Sequence, residues 1–147
     1  MVPLKERGGP GWNMFDFRML ARQRDQQGLE NDLRLALTTA SMDQFELYYQ
    51  PVCDSGTGVV QGCEALLRWH HPELGSVSPA VTIELAERSG LIVPLGAWIL
   101  ERACSQAALW PAAWRVHVNL SVKQMNEDSL VQLVSDVLAS TLSLIHI

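Results

Sequence analysis

From residue 59 onward the hydrophobic period of this chain changes three times. Val59 to Trp69 alternates with period two. Residues 78–90 and 94–109 carry apolar side chains at helical spacing. Arg115 to Leu120 returns to period two, and Leu130 to Leu138 is helical again. Strands that alternate with helices in this way pair in parallel through helical crossovers, so the pattern predicts the α/β class.

The segment before residue 59 adds an antiparallel partner. Phe45 to Gln50 is aromatic-rich and is predicted to be a strand closed by Pro51. Asp54 to Gly58 has turn composition and leads directly into the second strand. Further upstream, Leu29, Leu33, Ala36, Leu37 and Ala40 recur at helical spacing. They predict a helix that begins between Asp16 and Gly28. Residues 1–13, rich in Gly and Pro, read as a loop or the tail of another domain. Ser78-Pro79 is a helix start and Gly90 a helix end, with residues 70–77 a loop between strand and helix.

Composition removes several classes of function. Hydrophobic residues make up 48% and charged residues 18%, enough for a packed core. The net charge is -5, with +1 over residues 1–35 and -6 over the rest, which argues against DNA or RNA as a partner. Three cysteines (Cys53, Cys63 and Cys104) without CxxC spacing are expected to be reduced, buried small side chains in a cytoplasmic protein. The first twenty residues have no secretory apolar region, and no stretch reaches the roughly 18 consecutive apolar residues of a membrane span. A longer parent could still be tethered through upstream segments.

Strand parity sorts the residues able to carry chemistry. In EALLRW, residues Glu64, Leu66 and Arg68 share one face. Cys63, Ala65, Leu67 and Trp69 share the other, which is expected to pack under helices. Glu64 and Arg68 lie about 13 Å apart along the strand. That spacing suits a carboxylate for a hard cation and an Arg for a phosphate. It equally suits ordinary charges on an exposed strand face. In the third strand His117 and Asn119 share a face. The Asn119 carbonyl oxygen can ligate a hard cation, or its side chain can cap the next turn. Gln50 can contact a base or phosphate, or satisfy loop backbone. His70-His71 is poor metal geometry and is expected in an exposed loop. The five tryptophans read as core or helix-packing residues.

Five segments, in this order, resemble the EAL domain family. They are YYQPV at Tyr48–Val52, EALLRW at Glu64–Trp69, SPAVTIELAERSGLI at Ser78–Ile92, LGAWIL at Leu95–Leu100 and VNLSVKQM at Val118–Met125. The resemblance covers roughly residues 29–141. It implies a TIM-like (β/α)8 barrel whose first strand is antiparallel to the rest. It also implies hydrolysis of cyclic di-GMP to linear pGpG with Mg²⁺ or Mn²⁺. By position, Glu64 and Asn119 would be catalytic metal ligands, Arg68 the contact to a substrate phosphate and Gln50 a substrate contact. Leu66 would lie against a guanine. The alternative within the family is a module without catalysis that senses cyclic di-GMP or binds a protein.

Two departures accompany the resemblance. A full barrel takes about 250 residues, so the chain is expected to be the N-terminal half of the domain, ending after about the third strand and its helix. The family's later metal carboxylates, paired aspartates, lysine and last glutamate would lie beyond Ile147. Residues 142–147 do not resemble the family's continuation and are expected to be a non-native tail. Glu84 stands where the family often has proline. At the other end, Lys5 to Gly9, Trp12 and Phe15-Asp16 resemble the last residues of a GGDEF domain, so residues 1–28 are expected to be its end and a linker helix. A homodimer of the parent is a further expectation from the family.

Overall fold

A computed structural model describes residues 17–38, 42–126 and 128–142. The expectations for residues 1–16, for Ala40 and for the tail beyond residue 142 lie outside the described residues. In chain order the elements are α1 (Phe17–Thr38), β1 (Phe45–Cys53), β2 (Val60–His71), β3 (Gly75–Val77), α2 (Pro79–Ser89), α3 (Ile92–Ala107), β4 (Arg115–Val118), α4 (Val122–Met125) and α5 (Leu130–Leu142). The α/β class follows, with the strands arranged as the start of a TIM-like barrel.

β2 organises the sheet. β1 runs antiparallel along its whole length, from Phe45 opposite Trp69 to Cys53 opposite Val60. β4 runs parallel to its first half, and β3 forms a short antiparallel ladder with its last residues, Trp69 to His71. The antiparallel first strand and the parallel second pairing are the arrangement that the sequence predicted.

Two strands overrun their predicted ends. Pro51 does not close β1: it pairs with Cys63, and the strand continues past it to a register shift at Val52/Cys53. Proline is tolerated there because β1 is an edge strand among the described residues, so a missing N–H on the outer side breaks no ladder bond. Residues 70–77 are not a simple loop either. β2 continues to His71, and a tight turn through Gly75, at φ 72°, returns as β3. His71 is buried rather than exposed, because its side chain holds this turn together. Nδ1 accepts from the Glu73 and Leu74 amides at 3.1 Å each, while Nε2 lies 3.2 Å from Asp32 Oδ2 of α1. A β-hairpin anchored by a side chain leaves no periodic signature.

The core lies between one face of the sheet and the helices. Cys63, Ala65, Leu67 and Trp69 are all buried on that face, as strand parity requires. Trp69 is fully buried. It stacks on Phe45 at 6.0 Å between ring centroids, and its indole N–H donates to Gln44 Oε1 at 3.0 Å. Leu33, Ala36 and Leu37 of α1, Leu85 and Ala86 of α2, and Ile92, Leu95 and Ile99 of α3 close over it. Burying a Trp of this size with a satisfied N–H makes it the anchor of the sheet-to-helix interface. Trp98 packs against the same core, while Trp110 sits edge-on to Tyr49 and Trp114. Of the cysteines, Cys63 is buried and Cys104 partly so, but Cys53 is exposed at the end of the edge strand.

Gly62 allows the parallel pairing. It faces Arg115 in the β2–β4 ladder, and a Cβ on it would overlap the Arg115 backbone. α2 starts and stops where its sequence suggests, with Pro79 opening it and Gly90 closing it in the left-handed conformation at φ 75°, but the Ser78 hydroxyl makes no cap hydrogen bond. No described helix is long and apolar enough to cross a membrane.

Candidate functional site

The sheet face opposite the helices collects the polar residues singled out in the sequence. Cross-strand pairing fixes their order. Gln50 of β1 is the ladder partner of Glu64, and His117 of β4 is the partner of Glu64 on its other side. One step along, Tyr48 pairs with Leu66, and a further step places Glu46 opposite Arg68. Paired residues share a face, so Gln50, Glu64 and His117 form one row and Glu46 and Arg68 another.

Asn119 lies just past the end of β4, not within a strand that reaches Leu120 as predicted. Its side-chain N–H donates to Glu64 Oε1 at 2.7 Å. That short bond to a carboxylate is the contact that joins the second and third predicted strands at the site. The alternative role for Asn119, capping the next turn, belongs instead to Ser121. The Ser121 hydroxyl accepts from the Lys123 amide, and Gln124 Oε1 accepts from the Ser121 amide, a reciprocal capping box around α4.

Arg68 is held in two ways. Its guanidinium lies 5.1 Å above the Tyr48 ring, and one N–H donates to the Leu67 carbonyl at 2.8 Å. A cation over an aromatic face gains about 0.5–1 kcal/mol at a partly exposed site. Leu66, Arg68 and Asn119 border one small cleft of about 130 Å³ between the sheet and the start of α2. A larger groove, about 420 Å³, lies between β1 and α3 and is lined by Phe45, Tyr49, Trp98 and Arg102, with none of the predicted site residues. There, burial pushes the Tyr49 hydroxyl above its ordinary pKa, with nearby Arg102 opposing.

Gln50, Glu64, Arg68 and Asn119 therefore occupy one face, with Asn119 and Glu64 in direct contact. His70 shares this face by parity but lies beyond Arg68, away from the Glu64–Asn119 pair, with its Nε2 3.3 Å from Glu46 Oε2. Sequence reasoning missed Tyr48 as the platform for Arg68, and Ser121, Gln124 and Glu87 as the residues around the Asn119 loop. The Ser-x-x-Gln spacing at 121–124 was a legible capping signal. The partner on α2 had no local signal.

The donors suit a hard cation. Glu64 offers a carboxylate, and the Asn119 amide carries a carbonyl oxygen; oxygen-only ligands match Mg²⁺ or Mn²⁺ rather than a thiolate-seeking metal. Among the described residues, no group of three His, Cys, Asp or Glu side chains converges to hold a metal.

The chain resembles known proteins over most of its length. The EAL domain family pattern matches residues 30–144. MucR of Pseudomonas aeruginosa, a bifunctional diguanylate cyclase/cyclic di-GMP phosphodiesterase, is 40% identical over 142 residues, covering 94% of this chain and 20% of that protein. The cyclic di-GMP phosphodiesterase PdeR of Escherichia coli is 36% identical over 141 residues, covering 94% of this chain and 21% of its own length. The chain thus spans about a fifth of these curated relatives. The solved complex of the MucR phosphodiesterase with cyclic di-GMP superposes with a TM-score of 0.72 at 42% identity, over 78% of this chain and 47% of that one. By pattern, identity and fold, this chain belongs to the EAL domain family.

Proposed function

We propose that the chain forms part of a phosphodiesterase that hydrolyses cyclic di-GMP to linear pGpG with Mg²⁺ or Mn²⁺. The observation that carries this reading is the Glu64–Asn119 pair, 2.7 Å apart, on the same face as Gln50 and Arg68. Relatives named as cyclic di-GMP phosphodiesterases support the substrate.

In this reading Glu64 and Asn119 hold the cation. When bound, it polarises the phosphodiester and lowers the pKa of the attacking water. Arg68 binds a substrate phosphate through its planar fork, with Tyr48 and the Leu67 carbonyl setting the guanidinium's direction before substrate arrives. Gln50, across the ladder from Glu64, hydrogen-bonds the substrate beside the reacting centre. Leu66, between Glu64 and Arg68, gives a guanine an apolar surface.

The remaining ligands come from the rest of the barrel in a longer parent, where residues 29–141 are the N-terminal half of the EAL domain. Alone, this half carries too few ligands for turnover. Residues 1–28 are the end of a GGDEF-like neighbour, with α1 as the connector. Homodimerisation and a cytoplasmic site of action belong to the same proposal for the parent.

Cyclic di-GMP titrated into the full-length parent, with Mn²⁺ present and absent, tests the reading. Metal-enhanced binding that Arg68→Ala weakens is expected. Wild-type protein that does not bind the dinucleotide would overturn it.

A further inference from the structure

We infer that Glu87 is a positioning residue that sets Asn119 beside Glu64 by acting through Ser121. This inference rests on the proposed function for its consequence in metal binding, but its geometry stands independently.

Asn119 occupies the gap between two fixed points. Val118, immediately before it, is locked in the parallel ladder opposite Ala65 of β2. Ser121, two residues later, is the cap of α4. The backbone around Asn119 is therefore set by whatever holds Ser121.

Glu87 of α2 holds it. The Ser121 hydroxyl donates to Glu87 Oε1 at 2.5 Å, a short charge-assisted bond. With its proton committed to Glu87, that oxygen turns lone pairs toward the Lys123 amide, which donates to it at 3.2 Å. A second tie runs from Lys123 Nζ to the Glu87 backbone carbonyl at 2.5 Å. The third comes from α3. Gln124 is 4% exposed and packs on Gly96 so closely that a Cβ there would overlap the Gln124 amide. Its Oε1 returns to the Ser121 amide at 3.0 Å.

Two helices thus clamp the turn that carries Asn119, and Glu87 of α2 does so through both its carboxylate and its backbone carbonyl. Removing its carboxylate frees the Ser121 hydroxyl and loosens the turn. The Asn119 amide then loses its register with Glu64, although neither partner of that pair has been altered. A neutral amide at position 87 still accepts from Ser121, so Glu87→Gln preserves the arrangement.

The experiment follows the Asn119 side-chain amide protons in ¹⁵N-labelled full chain, assigned by their disappearance in Asn119→Asp. Glu64→Ala defines their position without the Glu64 bond. Glu87→Ala and Ser121→Ala are expected to shift them to that position, with the Val118–Ala65 ladder amides still protected from exchange. Glu87→Gln is expected to return them to the wild-type position. Should Glu87→Ala not fold, Glu87→Leu decides, since it removes the carboxylate, keeps the side chain's bulk and leaves the Ser121 cap on the Lys123 amide in place. Wild-type Asn119 signals in a folded Glu87→Ala, Glu87→Leu or Ser121→Ala chain would overturn the inference. In the full-length parent, Glu87→Ala should weaken Mn²⁺ binding by about 10–100-fold, the range for outer-shell partners. Unchanged Mn²⁺ affinity together with shifted Asn119 signals would count against the proposed metal role and leave the positioning role standing.

Discussion

The Asn119 amide donates to Glu64 Oε1 at 2.7 Å, joining residues 55 positions apart in the chain. The contact exists because β4 pairs in parallel with β2 and delivers Asn119 beside Glu64 just as its strand ends. If the pair holds a cation, Asn119→Ala removes one oxygen ligand and the donor that orients the other. The Mn²⁺ affinity of the parent should fall at least about tenfold, with cyclic di-GMP affinity measured without metal nearly unchanged. Titration calorimetry with each ligand separately checks this.

Arg68 is pre-set by Tyr48 and the Leu67 carbonyl. A lysine at this position keeps the charge and loses both the fork and the stacking plane. Arg68→Lys should raise KM for cyclic di-GMP by about tenfold, from the ~1.5 kcal/mol lower bound for a charge-assisted bond, with a smaller change in kcat. Steady-state kinetics separate the two. An equal fall in kcat with KM unchanged would move Arg68 from ground-state binding to the transition state.

Gly62 permits β2 and β4 to approach. Gly62→Ala places a methyl group on the Arg115 backbone, which cannot swing aside like a side-chain tip. Overpacking of this kind costs about 1–3 kcal/mol, so the Tm should drop by about 2–10 °C. The ladder residues Cys63 to Ala65 and Val116 to Val118 should lose exchange protection before the β1–β2 ladder does.

Much of this site was legible in the sequence. The two-residue period of Cys63 to Trp69 separated the buried face from the polar one, and every member of the apolar set is buried. Period-two and helical spacing likewise located the main strands and helices. What escaped were features made by side chains acting at a distance. The fold of His71 back onto the Glu73 and Leu74 amides creates a hairpin where composition suggested a loop. The link from Ser121 to Glu87 spans two elements with no shared pattern. Pro51 in a strand reflects the edge position of β1, which depends on the topology of the whole sheet.

The turn between β1 and β2 carries a pH dependence of known sign. Asp54 Oδ1 accepts from the Gly56 and Thr57 amides and the Thr57 hydroxyl. These bonds, the Thr57 amide first, hold its carboxyl below the ordinary carboxylate pKa. Because the folded value is the lower one, the stabilisation is complete above the unfolded value and disappears as pH falls through the folded one. An NMR titration of the Asp54 carboxyl should give a midpoint below the usual range, and Thr57→Ala should raise it. An ordinary midpoint in the wild-type chain would show that the turn is not formed.

The phosphodiester chemistry assigned to Glu64 can be read directly. Full-length parent and its Glu64→Gln variant are incubated with cyclic di-GMP and Mn²⁺, and the nucleotides are separated by chromatography. Wild-type protein should release linear pGpG, and the variant should do so at least about a hundredfold more slowly, since loss of a catalytic metal ligand removes several kcal/mol of transition-state stabilisation. Wild-type protein that binds cyclic di-GMP and leaves it intact would contradict the enzymatic account and establish a sensor in its place.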